Sequence, residues 1–166
     1  SGAHDENAED DQPISMRQLV RTKKIKGMEI VALADEDFFI HLCCHLYKEA
    51  TVMSWVEMGR DISLYKYCDI YLYLNRYMND KYAEDLIRRI KEVGLNKECY
   101  YALYYTKELF GISNSSMDKL LNGIRPDDLS FMHQVIDPQN RKTFSFDMQY
   151  SGWVFCSNRR VLLNEA

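Results

Sequence analysis

A chain of 166 residues, 46% hydrophobic and 28% charged, is long enough to bury one full core. Its formal net charge of −4 gives no overall electrostatic case for nucleic acid. No apolar run approaches the roughly 20 residues of a membrane span, and the acidic start does not read as a secretory signal.

Residues 1–12 carry Asp5, Glu6, Glu9, Asp10 and Asp11 with no Lys or Arg. Segment 1–14 is therefore expected to be disordered, and 15–166 to form a single helical domain of near-neutral charge. Arg17, Arg21, Lys23, Lys24 and Lys26 follow without an acid between them, which reads as a solvated basic strip. A helical turn is predicted at residues 16–20. From 24 to 33 polar and apolar residues alternate, predicting a short strand pair that turns at Gly27. Two strands alone are marginal in water, so this pair points to a missing partner.

Residues 35–50 predict a helix, with continuation through Trp55 to Met58 left open. Asp35, Glu36 and Asp37 suit its first turn, where carboxylates complement the exposed amides. Gly59-Arg60-Asp61 marks a break. The next helix, 63–78, carries Leu64, Tyr67, Cys68, Tyr71, Leu72, Leu74 and Tyr77 at helical spacing, which places Asp69 among them as partly buried. Helices over 81–93 and 97–110 are closed by Gly94 and Gly111. A shorter one is capped by Ser115 or Ser116 and ends at Asn122-Gly123, completing a helical core over 35–122. Pro126 suits the opening of a further turn through Phe131. A hairpin over 132–146 turns at Asp137-Pro138-Gln139-Asn140, and a terminal helix over 150–163 leaves Arg159 and Arg160 exposed. The expected fold is mainly α: an irregular bundle of four to six helices with one or two short β-hairpins.

Cys43, Cys44, Cys68, Cys99 and Cys156 form no CxxC pair. Four fall in apolar helical patterns, where free cysteine behaves as a small hydrophobe, so a reducing, cytoplasmic setting fits best. His41 and His45 share a helical face at the spacing of helical zinc sites. Leu42, however, holds the place of the general-base glutamate, and two ligands are too few. Sequence cannot assemble a third from His133, Asp69 or a cysteine, so no metal is assigned. A buried Asp69 demands a partner, with His45 or Arg60 the natural choices. An ion pair tying two helices is favoured over a cleft floor. Asp35 and Asp37 have the bare form of a magnesium-binding acidic pair, but a helix start explains them better. No Gly-Ser, Gly-Gly, P-loop or GxSxG sequence occurs. Tyr100-Tyr101 and Tyr104-Tyr105 have the chemistry to stack bases, though core packing is the ordinary explanation. Glu36, His41, His45 and Asp69 remain as a candidate polar cluster, without a complete catalytic set.

The segment from Leu33 through Asp35-Glu36-Asp37, His41-Leu42-Cys43-Cys44-His45-Leu46 and Lys48-Glu49 resembles a stretch of the uncharacterised nucleotidyltransferase-like family. The helix around Asp69, the run Ile90-Lys91-Glu92-Val93-Gly94-Leu95, the ending Glu108-Leu109-Phe110-Gly111, and Val135-Ile136-Asp137-Pro138 are similar in the same way. The resemblance covers roughly residues 15–140. It implies transfer of a nucleotidyl group from a nucleoside triphosphate with Mg²⁺, in a full-length parent whose Gly-Ser turn and acidic pair lie upstream. This chain would be the C-terminal helical part, covering nucleotide or acceptor without a catalytic centre or cofactor of its own. Its expected partner is that catalytic domain. The alternatives are a protein-interaction module and a helical hydrolase or nuclease built on His41, His45 and Asp69.

Overall fold

The computed structural model describes residues 20–25, 28–33, 35–59 and 64–166. Segment 1–14, the turn at Gly27, Arg60, and residues 16–19 of the expected helical turn lie outside them. Val20 itself opens a strand rather than closing a helical turn. Strands β1 (Val20–Ile25) and β2 (Met28–Leu33) pair antiparallel from Val20↔Leu33 to Ile25↔Met28. The pair therefore starts earlier than expected, because β1 runs back to Val20 to match the full length of β2, although the polar–apolar alternation stops at Lys23-Lys24. It forms its own two-stranded sheet, and neither strand gains another neighbour among the described residues.

Helix α1 (Asp35–Thr51) follows, then a separate short α2 (Met53–Glu57). The break falls at Val52, whose backbone is extended and forms a parallel bridge with Ile136. β-branched Thr51 and Val52 favour this departure, and Thr51 Oγ1 donates to the Tyr47 carbonyl at 2.7 Å. Helices α3 (Leu64–Tyr77), α4 (Asp80–Val93) and α5 (Asn96–Phe110) follow closely the predicted periodicity. Gly94 takes a left-handed backbone with φ 69°, and Leu95 N–H reaches the Ile90 carbonyl at 3.1 Å. Only glycine adopts that conformation freely. Helix α6 (Ser115–Ile124) is capped by Asn114, not by a serine: its side chain accepts from Met117 N–H at 2.7 Å.

α5 is the central helix. Cys99 through Leu103, together with Tyr105 and Thr106, are buried, and α1, α3 and α6 pack around it. The remainder departs from expectation. Pro126 opens no helix; the next turn is 3₁₀, Ser130–His133, held by Asp128, which accepts from Ser130 N–H at 2.9 Å. The predicted hairpin forms as β3 (Gln134–Asp137) and β4 (Lys142–Ser145), and a third strand, β5 (Asn164–Glu165), joins β4. The terminal helix is instead a short α7 (Tyr150–Val154) and a 3₁₀ turn, Arg159–Leu162. Arg159 is buried rather than exposed, because its guanidinium donates to the Cys156 carbonyl at 2.8 Å. The architecture is mainly α with short β-hairpins.

Candidate functional site

The outer faces of α1 and α3 form a shallow groove of about 400 Å³, lined by Phe38, Leu42, Asp69, Leu72, Arg76 and Tyr77 among others. Phe38 and Leu72 are 46% and 62% exposed, so this is an apolar surface with a carboxylate and a guanidinium set into it. Helical spacing produces it. Residues 38, 41, 42 and 45 fall on one stripe of α1, and 65, 69, 72 and 76 on one stripe of α3.

His41 and His45 lie one turn apart with ring centres separated by 6.1 Å. His41 is half-buried and His45 exposed. His45 Nδ1 lies 3.5 Å from Glu49 Oε1 and 3.4 Å from Lys66 Nζ. Lys66 donates to Glu49, a buried carboxylate. A histidine, a lysine and a carboxylate therefore join α1 to α3. Partial burial, then the neighbouring His45, lowers the His41 pKa; burial, then Lys66 and Lys48, lowers that of His45.

Asp69 is exposed, not partly buried. It forms no hydrogen bond or ion pair with either histidine among the described residues. The helix-tying ion pair expected of it is made by Glu49 and Lys66. Glu49 carried a legible signal, being one turn beyond His45; Lys66 carried none. Glu36 lies on another face of α1, in a small pocket with Asp37, Asp85, Arg88 and Arg89. The structure thus brings His41 and His45 together, sets Asp69 in the adjoining groove, and separates Glu36 from all three.

The acidic start of α1 does not fit a magnesium ion. Asp37 is 1% exposed and its two carboxylate oxygens accept from Arg89 Nε at 2.7 Å and Nη2 at 3.3 Å. A guanidinium fork already neutralises it. Asp35 offers its backbone carbonyl to Tyr73 Oη at 2.9 Å, and Tyr73 stacks on Phe39 with ring centres 4.8 Å apart. These contacts anchor the helix start. Among the described residues no three His, Cys, Asp or Glu side chains converge as a metal site.

Residues 4–111 match the model of a family described as uncharacterised nucleotidyltransferase. No curated protein matches the chain, nor does any solved structure.

Proposed function

We propose that this chain, which belongs to the uncharacterised nucleotidyltransferase family, is a helical accessory region that covers nucleotide or acceptor while another polypeptide segment supplies the catalytic carboxylates. The carrying observation is the β1–β2 ribbon, which leads directly into α1 and has no further strand beside it among the described residues. Exposed strand edges invite pairing with another chain or domain. The commitment of Asp37 to Arg89 supports the same assignment, since the nearest approach to an acidic metal pair is engaged in structure. Magnesium and nucleoside triphosphate would then belong to the catalytic segment, and the α1–α3 groove with Asp69, together with the adjoining His41 and His45, would face it.

Incubating the chain alone with Mg²⁺ and nucleoside triphosphates should release no pyrophosphate. The gene should encode, in frame or adjacent, a segment with a Gly-Ser turn followed by paired acids, and adding that segment should give transfer. Pyrophosphate release by the chain alone overturns this assignment. The exposed Phe38 and Leu72 favour a second reading, a non-enzymatic interaction module. It differs in one respect: partner binding would survive alanine at His41 and His45 without any effect on nucleotide chemistry.

No helix among the described residues is long and apolar enough to cross a membrane. All five cysteines are free. Hydrogen bonding with Cys99, then burial, pushes the Cys44 pKa up, and hydrogen bonding with Cys43, together with burial, pushes up that of Cys99, keeping both thiols protonated. A reducing, cytoplasmic location is the setting we propose.

A further inference from the structure

Away from the α1–α3 groove, the C-terminal half of α5 and the α7 segment enclose a larger cavity of about 700 Å³. Most of its wall comes from residues beyond position 111, where the family match ends. Its volume lies within the range of small-molecule sites, roughly 300–1,000 Å³.

The floor is aromatic and its polar tips are satisfied. Tyr105 and Tyr150 stack with 13° between their planes. Tyr105 Oη donates to the Met132 carbonyl at 2.6 Å, and the Tyr150 hydroxyl meets those of Tyr67 and Tyr101. Above this floor, half-buried Tyr104 stacks on Tyr100 with centres 5.7 Å apart. Just past the end of α7, Phe155 contributes a ring that is 72% exposed.

Arg125 stands at this aromatic wall. Its Nη1 donates to Tyr100 Oη at 3.1 Å, and its guanidinium carbon lies 6.0 Å from the Tyr100 ring centre. It forms no ion pair among the described residues, which leaves most of its five N–H donors open. A fork held against a tyrosine and short of a carboxylate is suited to bidentate capture of phosphate or carboxylate. Glu108 also lines the cavity, two helical turns from Tyr100 and so about 12 Å along α5. Its carboxylate opposes a second negative charge at that end of the cavity.

We propose that this cavity binds a small planar aromatic ligand bearing one anionic group, its ring packed on Tyr104 and Phe155 and its anion on Arg125. The site stands whether or not the chain assists nucleotidyl transfer.

Calorimetric titration of the chain with phenyl phosphate, adenosine monophosphate and inorganic phosphate tests it. At least one aromatic phosphate should bind saturably, with inorganic phosphate about tenfold weaker or worse for want of stacking. Arg125→Ala should weaken binding about tenfold or more, as expected for a lost charge-assisted hydrogen bond, and Phe155→Ala should weaken it less. Both positions are exposed, so the variants should keep the circular dichroism and melting temperature of the parent. The tighter of the two aromatic phosphates distinguishes a nucleotide from a simpler aromatic acid. The proposal fails if neither binds saturably, if inorganic phosphate binds equally well, or if Arg125→Ala leaves affinity unchanged.

Discussion

The pair formed by Asp37 and Arg89 is the most consequential single contact for α1, because a carboxylate that is 1% exposed meets a guanidinium that is 17% exposed. Removing one partner of such a pair costs about 3–5 kcal/mol, most of it the burden of the charge left behind. Arg89→Ala should lower the unfolding free energy read from urea melts by an amount near the lower end of that range. Arg89→Lys, which keeps the charge and loses the fork, should fall between. The two histidines beside the groove make a pH prediction. Their folded-state values lie below the ordinary 6.5, so the unfolded chain takes up protons first as acid is added. The stability linked to them is full above about 6.5 and declines as pH falls through the lowered folded-state values. Proton NMR titration reads both directly. His45→Gln should move the His41 midpoint upward, because the neighbouring charge is one cause of its depression; an unchanged midpoint would show the two rings to be uncoupled.

Helices α4 and α6 approach closely at Gly123, where an added Cβ would lie 2.5 Å from Ile87 Cδ1 and 2.8 Å from Cγ1. Gly123→Ala gains about 1 kcal/mol in helix propensity, while overpacking against a stiff β-branched side chain costs about 1–3 kcal/mol. A net loss near 1 kcal/mol is expected in denaturant melts. In an Ile87→Ala background the same substitution should become stabilising, a sign change that reports direct contact. The helices were legible in the sequence because Leu86, Ile90, Val93 and Gly94 carry both the period and its termination. Asp69 was misplaced for a definable reason. Helical spacing shows which residues share a stripe, not which stripe finds a neighbour, and on α3 it is Tyr67, Ile70 and Leu74 that turn inward. Arg159 and the broken terminal helix were illegible because backbone carbonyls at Val154 and Cys156, rather than any side-chain pattern, hold the guanidinium. The cavity beside α5 was hidden too, since Tyr104, Arg125 and Phe155 come from separate stretches.

Across the whole molecule, the segment that matches the family does not account for its own core. Tyr67 and Tyr101 direct their hydroxyls at Tyr150, and Met132 receives that of Tyr105. Phe131, Val135, Phe146, Trp153 and Val154 are buried in the same cluster. A polypeptide ending at residue 111 would expose that apolar surface and leave buried phenols without partners. It should show helical far-UV dichroism with weak near-UV signal and bind a hydrophobic dye, as expected when packing is lost but helices remain. A sharp cooperative melt from that shorter polypeptide would refute the prediction. Trp153 offers a way to watch the same event in the intact chain. Its ring is fully buried and lies parallel to Phe146 with centres 4.3 Å apart, and its indole N–H meets no acceptor among the described residues. Its fluorescence should consequently be blue-shifted relative to that of the partly solvated Trp55, so a drift of the emission maximum toward red would time the undocking of α7 from Phe146 without any added label.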